Sequence, residues 1–410
     1  MPKEYKDLVV GLDIGTAKVM AVVGEIVNGS ELRLVGLGVA ESHGLKRGVV
    51  VNIDATVQSI QQALKEAEMM AACKITSVYT GITGSHVRGQ NSTGMVIVRD
   101  NREVTPTDVA RVVETAKAIN IPNDQRLLLV EPQEFVIDNH EVKEPVGMSG
   151  SRLEVKVHIV TGAQSAAENI LKCVRRCGLE VEGLVLNPSA SAAAALTADE
   201  KDLGVALVDI GAGTTDVQIY TDGSVRHTVA IPIAGDLITS DIAMALRTPT
   251  KDAEEIKVGH GVAKQMLADP SEQVEVPGLG DRAPRMLSRQ ALAGVIEPRV
   301  EEIFALVQQV IRDSGYEEVL SSGIVLCGGS AVMPGMVELG EDIFLKPVRR
   351  GNPTYSGALF DMVANPRSAT AMGLLEEARL ARSRGHKAAQ QAGSVKTVVT
   401  RARDWFLGNF

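Results

Sequence analysis

Residues 205–233 read VALVDIGAGTTDVQIYTDGSVRHTVAIPI. An apolar run, VALVD, leads into a turn of glycines and threonines. An alternating run, DVQIY, then reaches Asp222-Gly223, and a third apolar run closes the stretch. Apolar runs parted by Asp-Gly are strands joined by hairpin turns. The first turn gathers Asp209, Gly211, Gly213, Thr214, Thr215 and Asp216. Bare glycine backbone admits a phosphate to its N–H groups, and the hydroxyls add donors. A carboxylate repels phosphate but can hold magnesium, or magnesium's waters, against it. The stretch therefore predicts a hairpin phosphate cradle, against the plain alternative of an ordinary glycine-containing hairpin. It misses the dinucleotide fingerprint, because Asp216 stands where a third small residue belongs and no helical run follows.

A repeat favours the cradle. Residues 8–40 follow the same plan: LVVGLD, then IGTAK, a second strand, Asn28-Gly29 and a third strand, LRLVGLGVA. Asp13-Ile14-Gly15 and Asp209-Ile210-Gly211 match letter for letter, 196 residues apart. Self-similarity of a whole strand–turn–strand frame predicts two related α/β halves that each offer a hairpin to one ligand.

A chain of 410 residues is too long for one ordinary domain. Apolar residues make up 45% and aromatics only 3%, so the core must come from Val, Ile, Leu and Ala. The cysteines, Cys73, Cys173, Cys177 and Cys327, lack the spacing of a zinc site and read as reduced residues of a cytoplasmic protein without a signal segment. The net charge of −9 is uneven: from Arg379 onward there are seven basic residues and one acidic, leaving 35 basic against 50 acidic in the rest. An acidic body argues against nucleic acid as a partner, and a basic end calls for an acidic surface.

Taken in order, 54–72 predicts a helix with Asp54 as its cap, and 75–84 a strand. Residues 85–160 predict a small inserted β/α subdomain. HVRGQNSTGMVIVR reads as a strand pair, Thr105 caps a helix from Pro106, and two strands flank the loop at 147–151. Nothing in it points to catalysis, so it reads as a packing or partner-binding module. A helix over 163–181 ends at Gly178. The alanine-rich helix after Asn187-Pro188 reads as tight packing. Glu254 and Lys257 lie three apart on one helix face, where a solvated ion pair is the ordinary reading. Arg282, Arg285, Arg289 and Arg299 form either a solvated face or a dock for an acidic peptide. GIVLCGGSAVMPGM (323–336) predicts a buried strand, then Gly328-Gly329-Ser330 and a helix starting near Pro334, a place where a ring or phosphate rests on backbone. SATAMGLLEEA (368–378) predicts a final small-residue helix, followed by a flexible linker over 381–394.

The last segment, 395–410, spaces Val395, Val398, Val399, Ala402, Trp405, Phe406 and Phe410 along one helical face, with Lys396, Arg401 and Arg403 elsewhere around it. It holds three of the chain's twelve aromatics. That pattern is an amphipathic helix lying on an anionic membrane surface, in preference to one docked on the body.

Together these motifs resemble the superfamily of actin, sugar kinases and large heat-shock chaperone ATPases. LDIGTAKV resembles its first phosphate motif and VDIGAGTTDV its second. NPSASAAAAL and ATAMGLL are similar to its two connecting helices, GIVLCGGSAVMPGM to its adenosine motif, and AEEIK to its adenine-side Glu and Lys. Within that superfamily GLDIGTAKV, the insertion after GITGSHVRG, the block RAPRMLSRQALAGVIEPR and the basic amphipathic end resemble the FtsA family of bacterial cell-division proteins.

The resemblance implies an actin-like, two-lobed α/β ATPase fold with duplicated β-sheet domains. The first subdomain takes 1–84 with 161–202 and about 360–380. The insertion takes 85–160, the second subdomain 203–246 and 300–359, and a smaller one 247–299. ATP would be held by Asp13, Gly15, Thr16, Lys18, Asp209, Gly211, Gly213, Thr214, Thr215, Gly235, Glu254, Lys257, Gly328, Gly329, Ser330 and Met333. Asp13 and Asp209 would serve Mg2+, through water. The resemblance further implies head-to-tail filaments of the chain itself and binding of the acidic C-terminal peptide of FtsZ at Arg285, Arg289 and Arg299. It implies later division proteins on the insertion, and a place on the cytoplasmic face of the inner membrane at the division site. Chaperone relatives carry Glu where Asn187 stands here, so at most weak ATP hydrolysis is expected, because an amide is a poor base. The alternatives are a pilus-assembly adaptor of the same fold and a small-molecule kinase; no carboxylate base for a kinase substrate is evident.

Overall fold

The computed structural model describes residues 7–28, 31–98, 103–280 and 282–392, with side chains as far as 383. The first half opens with β1 (Leu8–Ile14), β2 (Lys18–Val27) and β3 (Glu31–Glu41), a small hairpin of β4 (Leu45–Lys46) and β5 (Val49–Val50), helix α1 (Ile53–Ala71) and β6 (Ser77–Ile82). Next come β7 (Arg88–Ile97), α2 (Pro106–Lys117), β8 (Gln125–Ile137), β9 (His140–Val142) and β10 (Arg152–Ala163). Helix α3 (Gln164–Arg176) and β11 (Glu180–Leu186) return to the first sheet, and α4 (Asn187–Ala195) and α5 (Ala198–Leu203) lead across.

The second half holds β12 (Val205–Ile210), β13 (Thr215–Thr221), β14 (Ser224–Ile231), α6 (Gly235–Leu246) and α7 (Thr250–His260). It continues through the hairpin of β15 (Gln273–Val276) and β16 (Arg285–Ser288), α8 (Arg289–Asp313), β17 (Ile324–Cys327), α9 (Met336–Phe344) and β18 (Val348–Arg350). Helices α10 (Phe360–Val363) and α11 (Ala369–Ala392) follow.

The duplication is visible in topology. The first sheet runs β11-β6-β1-β2-β3, and the corresponding part of the second runs β18-β17-β12-β13-β14. In each, three antiparallel strands are followed by one parallel strand beside the first and another beyond it. Both central strands are buried along almost their whole length, as expected where helices cover both faces. The second sheet continues past β14 through β7, β10, β8 and β9, so the inserted strands extend it.

Several local expectations need correction. Asn52, not Asp54, caps α1: it is extended and its side chain accepts from the Ala55 N–H. Asp54 falls in the first turn, where it pairs with Arg176 at 2.6 Å. Residues 88–97 form one strand, not two, because Gly94 lies flat beneath α2 instead of making a turn. The glycine pair after β17 leads into a short 3-10 turn, Ser330–Val332, and α9 starts only at Met336, after Pro334 and a left-handed Gly335. The predicted linker 381–394 is helical as far as Ala392, because its alanines, arginines and glutamines are good helix formers that prolong α11. The candidate membrane residues Val395, Lys396, Val398, Val399, Arg401, Ala402, Arg403, Trp405, Phe406 and Phe410 lie outside the described residues. Among the described residues no helix is long and apolar enough to cross a membrane.

Helices α4 and α11 cross so closely that a β-carbon on Gly373 would stand 1.7 Å from the Ala190 carbonyl oxygen. Gly373→Val should cost about 3 kcal/mol, the upper end of overpacking costs. Urea unfolding checks this, and a wild-type midpoint would mean that the crossing yields easily.

Candidate functional site

Each D-I-G sequence closes the same turn. Gly15 N–H donates to the Lys18 carbonyl and Gly211 N–H to the Thr214 carbonyl, both at 2.9 Å. The two turns also touch. A β-carbon on Gly213 would lie 2.7 Å from Thr16 Oγ1 and as close to Arg47 Cα, so only glycine lets the halves meet there. Thr16 Oγ1 accepts from the Gly48 N–H at 3.1 Å. The strands thus deliver Asp13, at the end of β1, and Asp209, at the end of β12, into one buried chamber.

Asp13 pairs with Lys18 at 3.6 Å. Burial pushes the Asp13 carboxyl up and the Lys18 ammonium down, while their mutual attraction opposes both shifts. Asp209 accepts from Ser191 Oγ at 2.5 Å and from Thr370 Oγ1 at 3.3 Å. Its carboxyl is also raised, by burial first and by the nearby Asp13 charge, against its two hydroxyl donors and Lys18. Asp216 accepts from Thr83 Oγ1 at 2.6 Å, and burial pushes its carboxyl up to about 7. Three carboxylates and one ammonium share the chamber, a set that favours an added cation.

The residues expected on the adenosine side converge from the second half. Gly235 and Asp236 N–H groups donate to the Gly211 and Ala212 carbonyls at 3.1 and 2.8 Å, tying the start of α6 to the second turn. Ser330 Oγ donates to the Gly211 carbonyl at 3.0 Å. Lys257 is buried. It reaches Glu254 at 2.6 Å, Thr239 Oγ1 at 2.8 Å and the Gly235 carbonyl at 3.2 Å. The pair predicted as solvated on residues alone is thus anchored beside the second turn. Gly328, with a left-handed backbone, packs against Asp209, and a β-carbon on Gly329 would meet nothing within 4 Å. Met333 is buried, its carbonyl bound by Arg350 at 3.3 Å.

The arginine candidates are more committed than the sequence implies. Arg299 is bound to Asp241 at 2.5 Å and also pairs with Glu302. Arg289 bridges Glu272 at 2.7 Å and the His260 carbonyl at 2.9 Å. Arg285 is exposed and donates to the Leu246 carbonyl at 2.5 Å.

Sequence reasoning missed Thr83, Ser191, Thr370 and the role of Asp216. Hydroxyls inside the small-residue helices were the available signal: α4 and α11 are packing helices, and each also aims a hydroxyl at Asp209.

The donor set fits nucleotide with magnesium. Among the described residues no three His, Cys, Asp or Glu side chains form a metal cage. Magnesium is usually held by one or two carboxylates, waters and phosphate oxygens, which suits Asp13 and Asp209. Lys18 and the turn amides match phosphate.

Two lobes built on duplicated sheets around this chamber define an actin-like protein. A family model described as cell division protein FtsA matches residues 206–373, and one described as an SHS2 domain inserted in FtsA matches 84–161. Cell division protein FtsA of Pseudomonas aeruginosa is 54% identical over 98% of both chains, and that of Escherichia coli K12 is 43% identical over 99% of both. The chain belongs to the FtsA family of cell-division proteins. Solved structures share the fold. A PilM–PilN type IV pilus biogenesis complex has TM-score 0.67 at 20% identity, covering 90% of this chain and 98% of that one. MreB5 of Spiroplasma citri bound to ADP has TM-score 0.57 at 15% identity, covering 93% and 99%.

The Asp216 shift has a pH signature. The folded carboxyl keeps its proton up to about 7, while the unfolded one loses it near 3.8. The folded state therefore binds the extra proton in that window, and nucleotide-free stability falls as pH rises through it. Asp216→Asn should flatten this slope and melt higher than wild type at pH 8. Thermal melts across pH check it, and an unchanged slope would show that Asp216 ionises freely.

Proposed function

We propose that the chain is an ATP- and Mg2+-binding filament protein that tethers FtsZ filaments to the cytoplasmic face of the inner membrane at the division site. The observation that carries the nucleotide part is the convergence of Asp13, Lys18 and Asp209 between two equivalently bonded turns. The turn amides and Lys18 take the phosphates, the two aspartates take magnesium's waters, and Glu254 and Lys257 stand on the adenine side. Bound magnesium would supply charge neutralisation between the carboxylates and the phosphates.

Asn187 opens α4, and its Oδ1 is buried without a hydrogen-bond partner. An amide oxygen orients a water but cannot take its proton at neutral pH. ATP then acts mainly as a ligand that sets conformation and head-to-tail polymerisation, with hydrolysis weak. Arg285 is the candidate with most freedom for the acidic FtsZ peptide; Arg289 and Arg299 would have to exchange carboxylate partners to join it. The insertion, 85–160, serves self-association and later division proteins. The basic amphipathic end, 395–410, provides the tether.

Lys18→Ala should weaken Mg–ATP binding more than tenfold in equilibrium dialysis well below the melting temperature, and should also lower that temperature, because it leaves the buried Asp13 without its cation. Unchanged affinity would remove the phosphate role of the first turn. Trp405→Glu should abolish co-sedimentation with anionic liposomes and spare ATP binding. If that variant sediments like wild type, the tether lies elsewhere.

A further inference from the structure

The Asp209 carboxylate is held unevenly. Both hydroxyls that reach it, Ser191 Oγ at 2.5 Å and Thr370 Oγ1 at 3.3 Å, meet the same oxygen, Oδ2. They also touch each other at 3.0 Å. Each hydroxyl has one proton to give. The Ser191 proton goes to Oδ2 along the shortest contact, and the Thr370 proton is shared between Oδ2 and Ser191 Oγ. Oδ1 accepts no hydrogen bond among those found in the described residues. It faces Gly328, where a β-carbon would stand 2.5 Å away, so glycine leaves the space in front of Oδ1 clear.

The helices make this arrangement firm. Ser191 is fully buried and Thr370 nearly so. They lie on α4 and α11, which cross where a β-carbon on Gly373 would strike the Ala190 carbonyl. Ala190 precedes Ser191, so the crossing fixes where both hydroxyls stand over Asp209. Asp13 is divided in the same way, with its Oδ2 facing Lys18 Nζ at 3.6 Å. Each carboxylate therefore keeps one oxygen engaged and one open. Burial of a carboxylate calls for donors, but not for both donors on a single oxygen.

Magnesium and calcium use carboxylates differently. Magnesium demands a near-ideal octahedron and keeps several of its waters, whereas calcium gathers about six to eight oxygens and readily takes both oxygens of one carboxylate. An open Oδ1 can accept a proton from a magnesium-bound water. A blocked Oδ2 spoils the two-oxygen grip that calcium favours. We propose that Ser191 and Thr370 determine metal specificity: by occupying Oδ2 they restrict Asp209 to one oxygen, and so select magnesium over calcium for the nucleotide complex. They act as positioning residues, through Asp209. The inference rests on the reading of the chamber as a magnesium–nucleotide site and adds the source of its ion preference.

Equilibrium dialysis of labelled ATP against the full chain, in saturating magnesium and in saturating calcium, gives a magnesium-to-calcium affinity ratio for each variant. Wild type should prefer magnesium. Ser191→Ala is compatible with an alanine-rich helix, and Thr370→Val keeps the shape of threonine. Together they should lower the ratio by about tenfold, the scale on which groups behind a metal ligand act. Each alone should move it in the same direction, so the test stands if the pair does not fold. Thr370→Ser keeps the hydroxyl and should hold the wild-type ratio. Asp209→Asn, the control for the chamber itself, should remove the metal dependence of ATP binding. If the hydroxyls served folding alone, both complexes would weaken alike and the ratio would not move. An unmoved ratio, a wild type without preference for magnesium, or equal effects of Thr370→Ser and Thr370→Val would overturn the proposal, and the chamber reading would survive if Asp209→Asn still lost metal dependence. Metal-independent ATP binding by wild type, or unchanged metal dependence in Asp209→Asn, would overturn both.

Discussion

Buried like charge is the constraint around which this molecule is built. Asp13 and Asp209 end equivalent strands of two equivalent sheets and enter the same chamber, with Lys18 as the ammonium beside them. Neither carboxylate would be tolerated there without hydrogen bonds or an opposite charge. The surroundings supply both, through Ser191, Thr370 and Lys18. The rest of the fold serves to bring these groups together: the duplicated strand order places both strand ends alike, and the turns meet across Gly213.

This explains which parts of the architecture could be read in advance. The hairpin frames, the D-I-G turns and the small-residue helices are local patterns, and local patterns leave their mark in composition and spacing. Thr83 meeting Asp216 joins residues 133 apart, and Ser191 meeting Asp209 joins a helix to a strand end. No period or motif announces such pairs, because each depends on where the sheet brings its strands. The arginine cluster is the converse case. It looked available because its carboxylate partners, Asp241 and Glu272, are remote or unremarked in sequence. Asn52 and the long α11 were missed for a smaller reason: caps and helix ends turn on single residues whose preferences differ by about 1 kcal/mol or less.

The junction of the insertion with the second half is a different kind of contact from the cores on either side. Beside the single pairing of Arg88 with Val229, it combines side-chain hydrogen bonds with a small buried apolar cluster of Val87, Val160, Leu186 and Ala230. His158 is buried between Asn91 Oδ1 at 2.6 Å and Thr228 Oγ1 at 3.0 Å, and Gln133 donates to the Val225 carbonyl at 2.8 Å. Burial drives the His158 imidazole down to about 4, so it stays neutral at physiological pH and needs one donor and one acceptor, which Asn91 and Thr228 provide. The directional bonds fix register, and the apolar cluster beside them adds the stabilisation of buried surface.

The sheet order connects this junction to the strand that carries Asp209. Strand β14 is the outer strand of the three that start with β12, which carries Asp209, and its far edge is the one that meets β7. A displacement of β12 on filling the chamber would pass along backbone hydrogen bonds through β13 to β14, and there reach the inserted strands. Coupling of this kind requires only that nucleotide prefer one position of β14 over another. The sheet that carries Asp209 is therefore also the physical link between the chamber and the inserted subdomain.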